Sequence, residues 1–148
     1  MSVIAWDGST LAADKRIVSQ GLSKTCTKIF RHEGSLLGIT GDWDLGMELV
    51  EWYRAGAVPK DFPEEARKDG GKSSLTVIDG KGIFVYSAGP FPLLVEDKHF
   101  AAGSGRDFAY AAMHLGRGAV EAVRIACVFQ SDCGNGYDVM TLHGGDHG

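Results

Sequence analysis

The apolar residues of this chain change their spacing several times, and the order of those changes leaves few folds open. Ser2 to Trp6 is a short apolar run, Asp7-Gly8 is a turn dipeptide, and Thr10 to Asp14 reads as the returning strand of a tight hairpin. Ile17-Val18 and Cys26 to Phe30 are further apolar segments, and Glu33-Gly34 turns the chain into Ser35 to Thr40. Leu36-Leu37-Gly38-Ile39 has no polar face, as expected of a strand covered on both sides. Asp42 then stands at an N-cap position before Leu45, Leu49, Trp52 and Tyr53, which recur at helical spacing until Gly56. Pro59 to Gly71 reads as a surface excursion, Ser73 to Ile78 and Gly82 to Tyr86 as a second hairpin, and Phe91 to Val95 as an added strand. After Gly103-Ser104-Gly105, Phe108, Ala111, Ala112 and Leu115 share one helical face. Gly116 and Gly118 separate that helix from a second over Val120 to Cys127, expected to pack against it antiparallel, and Tyr137 to Leu142 reads as a last strand. Strands, helix, strands, two helices, strand is a layered α+β order, not βαβ repetition.

Length and composition exclude several classes. The 148 residues fit a single domain, 1–148, with a loose Gly- and His-rich tail at 143–148. No apolar run approaches the roughly 18 residues of a membrane span, and the N-terminus shows neither a basic segment nor an uninterrupted apolar stretch, so a cytoplasmic location is expected. Cys26, Cys127 and Cys133 are odd in number and lack a CxxC spacing, which speaks against disulfides and a zinc site. His32, His99, His114, His143 and His147 show no ligand spacing, so no metal is expected. A net charge of −4 disfavours a nucleic-acid surface. Gly103-x-Gly105 fails as a dinucleotide loop because Phe108 stands where the third glycine belongs.

The head of the chain carries possible chemistry. Once Met1 is removed, Ser2 holds a hydroxyl and a free α-amine on one residue, and the amine can serve as base for its own nucleophile. An α-amine has an ordinary pKa of about 7.7–8.0, so much of it is neutral near pH 7. By itself Ser2 reads as a small second residue, Lys28 as a solvated edge-strand side chain, Gly41 as a strand-to-helix turn, and Ser104 as a turn or capping residue.

Five elements in order resemble the N-terminal nucleophile (Ntn) hydrolases, and among them the proteasome β-subunit family, in its small bacterial and phage branch related to the heat-shock locus V peptidase. They are Ser2 at the head of the first strand, Ala12-Ala13-Asp14, Thr27-Lys28-Ile29, Leu37-Gly38-Ile39-Thr40-Gly41, and Ala102-Gly103-Ser104-Gly105 before an Ala-rich helix. The resemblance covers about residues 2 to 142 and implies a four-layer αββα sandwich. It implies Ser2 as nucleophile, Lys28 as the cation beside it, Asp14 as the carboxylate holding that cation, Gly41 as oxyanion donor and Ser104 as a proton relay. Ile39 and Thr40 would line the specificity pocket, with small or medium apolar side chains as the expected occupants. No cofactor is needed. The implied setting is a homo-oligomeric ring, acting on peptides or unfolded proteins beside an ATP-dependent unfoldase.

Two positions depart from the family pattern. The family places an Asp three residues before a small Ser or Cys; here Cys133 fits but the Asp position holds Gln130, with Asp132 close by. The nucleophile is Ser where Thr is usual, so the rotamer restriction of a β-branched residue is missing. Three readings therefore stand at this point: a peptidase, an inactive structural subunit of the same fold, and a small α+β binding module in which Ser2 and Lys28 have no joint role.

Overall fold

The computed structural model describes residues 2–143, so Met1 and most of the tail anticipated at 143–148, His147 included, lie outside the described residues. The strands are β1 (Ile4–Trp6), β2 (Thr10–Asp14), β3 (Arg16–Ser19), β4 (Leu22–Thr25), β5 (Ile29–His32), β6 (Ser35–Thr40), β7 (Ser74–Asp79), β8 (Gly82–Tyr86), β9 (Leu93–Val95), β10 (Phe100–Ala102) and β11 (Tyr137–Thr141). The helices are α1 (Trp43–Arg54), α2 (Glu64–Asp69), α3 (Arg106–His114) and α4 (Ala119–Phe129).

Two antiparallel sheets carry the fold, one in the order β10-β1-β2-β11 and the other in the order β5-β6-β7-β8-β9, while β3 and β4 form a separate hairpin. Alternation along each strand decides which layer a residue enters. Ile4, Trp6, Leu11 and Ala13 from the first sheet meet Ile29, Leu36, Ile78 and Ile83 from the second, filling the space between them. The opposite face of the first sheet, with Val3, Ala5 and Ala12, packs on Ala109, Met113, Val123 and Ala126 of α3 and α4. Leu37, Ile39, Leu75 and Val77 turn the other way, onto Leu49, Val50, Trp52 and Ala66 of α1 and α2. The result is the expected four-layer αββα sandwich, and it explains why β6 has no polar face.

The small side chains are functional in this packing. Ala109, Ala122 and Ala126 let α3 and α4 approach a sheet face that is itself lined by Ala5 and Ala12. The connection between the two helices spans only 115–118, which makes them antiparallel neighbours. Asp42 caps α1 as anticipated, accepting the Leu45 N–H at 2.9 Å. Several elements differ from the sequence expectations, among them β4, whose four residues are all exposed and carry no apolar period. Cys26 to Lys28 is not strand, and β5 begins only at Ile29. The excursion over 59–71 contains α2, whose Ala66 is buried along with Phe62. Phe100–Ala102, too short to show a period, pairs with β1 as β10. No helix among the described residues is long and apolar enough to cross a membrane.

The first turn also anchors a distant helix. Asp7 Oδ1 accepts the N–H groups of Ser9 and Thr10 at 3.0 and 2.9 Å, and Oδ2 accepts the Ala119 N–H at the start of α4 at 2.8 Å. Burial raises the Asp7 pKa, but these bonds to the ionised form outweigh it and leave the carboxyl below its ordinary value. A depressed folded-state pKa adds stability that is complete above the unfolded value, about 3.9, and is lost as pH falls through the folded one. Asp7→Asn is therefore expected to lower stability by about 1 kcal/mol at pH 7, with the gap to wild type closing below pH ~4 in urea titrations run at both pH values.

Candidate active site

The ends of four strands meet at one edge of the sandwich. Ser2 lies two residues before β1, Lys28 directly precedes β5, Gly41 directly follows β6, and Ser104 lies two residues past β10. Neighbouring β1, β2 and β10 fix the first residues of the chain: the Asp14 N–H donates to Val3 O at 3.1 Å, and the Gly105 N–H donates to Ser2 O at 3.1 Å. Ser2 is consequently 2% exposed although it stands at the start of the described chain.

Asp14 is the anchor of this corner. It is fully buried, and its Oδ1 accepts both the Val3 N–H at 3.0 Å and the Lys28 ammonium at 2.8 Å. Its Oδ2 accepts the N–H groups of Arg16 and Gly134 at 3.2 and 3.0 Å. Four donors on one carboxylate offset the cost of removing its charge from water. Lys28 in turn is 4% exposed and also donates to Arg16 O at 2.5 Å. The ammonium is thus held from two sides, and the solvated edge-strand reading of Lys28 does not hold.

Ser2, Lys28, Ile39 and Gly41 line a common cavity of about 230 Å³, walled on one side by Ile17, Val18 and Ser19 of β3 and on the other by Asp42, Trp43 and Asp44. The Ser2 hydroxyl is buried and has no hydrogen-bond partner among the described residues. A buried hydroxyl left unpaired costs on the order of 1–3 kcal/mol; Thr76 Oγ1 on β7 is also unpaired, but only the Ser2 hydroxyl of the two belongs to a residue lining this cavity. Gly41 has φ +93°, and a Cβ there would lie 2.6 Å from Lys72 O and from the Ser73 Cα, so only glycine brings the backbone through this point. Thr40, expected beside Ile39 in the pocket wall, is not part of it. Its hydroxyl lies 2.6 Å from that of Ser74, its register partner on β7, which occupies the side chain elsewhere.

On the other side of Ser2 a hydroxyl relay ends on a carboxylate. The Ser2 N–H donates to Ser104 Oγ at 3.1 Å, and the Ser104 hydroxyl donates to Asp132 Oδ1 at 2.8 Å. Gly103 makes this possible: at φ +96° its missing Cβ would come within 2.2 Å of Ser2 O. Burial pushes the Asp132 pKa up, but the hydrogen bonds it receives, led by that of Ser104, leave it below the ordinary carboxylate range. Cys133, 3.8 Å from Ser104 Oγ, stays a thiol because burial pushes its pKa up to about 12. The acidic member of this corner is therefore Asp132, not the Gln130 position. Sequence reasoning saw Asp132 without assigning it, because the tight turn around Cys133, where the Cys133 N–H donates to Gln130 O, brings residue 132 and not 130 toward Ser104.

Many solved structures share this architecture, among them the following. The chain superposes on Thiobacillus denitrificans BPH in complex with epoxomicin with a TM-score of 0.73 at 20% identity, covering 97% of this chain and 100% of that one. Against Thiobacillus denitrificans BPH in a second structure the TM-score is 0.71 at 20% identity, over 98% of this chain and 100% of that chain. Against eukaryotic HslV from Trypanosoma brucei it is 0.69 at 19% identity, over 94% and 97%. No protein-family model and no curated protein matches the sequence. The chain has an HslV-like, proteasome β-subunit-like Ntn-hydrolase fold.

The buried pair sets an order of stabilities. Asp14→Ala strands the Lys28 ammonium and three backbone N–H groups, so it is expected to cost about 3–5 kcal/mol. Lys28→Met leaves Asp14 its three backbone donors and is expected to cost clearly less, with both losses read from urea midpoints at constant m.

Proposed function

We propose that this chain is a peptidase in which Ser2, freed of Met1, is the nucleophile. The observation that carries the reading is the buried, unpartnered Ser2 hydroxyl, which shares a cavity with Lys28 and Gly41 while its own nitrogen bonds to Ser104. An HslV-like fold supports it.

In this reading the neutral Ser2 amine takes the hydroxyl proton as Oγ attacks a peptide carbonyl carbon. The Lys28 ammonium favours the developing alkoxide, and the Gly41 N–H is the donor to the carbonyl oxygen as it becomes an oxyanion. The protonated amine then gives its proton to the departing peptide nitrogen, leaving an ester on Ser2. Water, deprotonated by the same amine, attacks the ester and restores the hydroxyl. Ser104 and Asp132 position that amine. The Ser104 hydroxyl has Asp132 Oδ1 at 2.8 Å as its nearer acceptor and Ser2 O at 3.3 Å as its farther one, and with its proton on Asp132 it accepts from Ser2 N. Ile39 forms part of the pocket for the substrate side chain.

The same proposal includes closed rings and delivery of unfolded chains by an ATP-dependent unfoldase in the cytoplasm. Exposed apolar side chains on α4 and the loop before it, Leu115 (80%), Val128 (74%) and Phe129 (67%), support burial by neighbouring copies.

Epoxomicin, found on Thiobacillus denitrificans BPH, is the natural probe, since an epoxyketone reacts with a hydroxyl and an amine held on one residue. Intact mass is expected to show loss of Met1 and a single epoxomicin adduct, absent in Ser2→Ala. A folded, Met-free protein that takes no label and cuts no peptide would instead be a structural subunit. Asp132→Asn is expected to lower kcat about tenfold, the difference between a charge-assisted and a neutral hydrogen bond, with KM nearly unchanged and the alkaline-rising limb of the kcat profile displaced.

A further inference from the structure

The mouth of the Ser2 cavity is acidic. Asp42 and Asp44 line it, and both also line an adjoining hollow of about 440 Å³ together with Glu48, Glu65 and Asp69, against a single cation, Lys68. Several of these charges have structural partners. Asp42 caps α1, Asp69 accepts the Ser73 N–H at 2.6 Å, and Glu65 lies 3.6 Å from Lys68. Asp44 and Glu48 have no ion-pair or hydrogen-bond partner among the described residues, and both are exposed. They stand four apart on α1, where like charges work against the helix. The helix N-terminus explains a carboxylate at Asp44, in the first turn. It does not explain Glu48, one turn further in.

The other walls of the cavity differ in character. Ile17, Val18 and Ile39 are apolar, and Trp43 presents an indole that is 39% exposed. The Lys28 charge is matched by Asp14 and adds no net repulsion. The Ser2 hydroxyl, buried and unpartnered, belongs to the same cavity, so the acidic residues and an unpaired polar group line one space. An occupant that fits both parts has an apolar stem and a cationic end, the form of arginine and lysine, whose stems pack on apolar walls while the charged head stays near water. The Trp43 ring adds a face for that head.

We propose that the substrate residue whose carbonyl Ser2 attacks is basic, with its stem along Ile17, Val18 and Ile39 and its charge at Asp44, reinforced by the field of Glu48. This replaces the small or medium apolar residue expected from sequence: the walls meet that expectation, and the mouth changes it. The inference rests on the peptidase reading.

The test uses the Met-free protein and fluorogenic peptides identical except for the residue before the cut bond: arginine, lysine, citrulline, leucine or glutamate. Citrulline keeps the shape of arginine without its charge. The expected result is a kcat/KM for arginine about tenfold above citrulline, glutamate lowest, and a ratio that shrinks as salt is raised from ~20 to ~500 mM. Asp44→Asn with Glu48→Gln is expected to bring the arginine to citrulline ratio toward one, and Asp44→Lys to reverse the order of arginine and glutamate. If Ser2 takes epoxomicin while citrulline or leucine peptides are cut as fast as arginine ones, the basic preference is overturned and the peptidase reading stands. If no peptide is cut and Ser2 takes no label, both fall.

Discussion

One fully buried carboxylate organises this molecule's working corner. Asp14 ends β2, yet its four hydrogen bonds reach the head of the described chain at Val3, the hairpin at Arg16, the ammonium of Lys28 just before β5, and the loop at Gly134. Burying such a group is costly unless every lone pair is used, and here the need to use them pulls four separate segments to one point. Lys28 and Ser2 then line one cavity as a consequence of satisfying Asp14.

The layers serve that arrangement. Helices α3 and α4 lie against the Ala-rich face of the first sheet, and their connecting loops carry Ser104 and Asp132 to the side of Ser2 opposite Lys28. Helix α1 packs on the second sheet through Leu49 and Val50, and its first turn supplies Trp43 and Asp44 to the cavity wall. The Ser104–Asp132 pair and the Trp43–Asp44 wall thus come from different layers and meet at the ends of β1 and β6. Ser2 sits between them, with its nitrogen toward one and its hydroxyl facing the other.

Much of this was legible in the residue order. The hairpin over 2–14, the doubly covered strand 35–40, the capped helix after Asp42 and the Ala-rich pair after Gly105 each have a period or punctuation that local sterics enforce. Strand β10 was not legible because three residues carry no period, and α2 was hidden by the prolines and charges around it. Thr40 and Ile39 looked alike as pocket residues, but Ile39 packs with the α1 layer and lines the cavity while Thr40 is taken up by Ser74. The family's Asp position holds Gln130, and whether nearby Asp132 stands in for it was open for a similar reason. Loop curvature decides which of 130 or 132 faces Ser104, and no spacing rule encodes it.

By itself the sequence determined the layered α+β order, the hydroxyl at the second residue and the set of side chains able to do chemistry there, because hydrophobic period, capping and turn residues act over a few neighbours. Only the tertiary structure decided that Asp14 and Lys28 are a buried pair, that Asp132 completes the relay through Ser104, and that Asp44 stands at the mouth of the Ser2 cavity. Those are contacts between residues far apart in the chain, and their geometry follows from how whole sheets and helices stack.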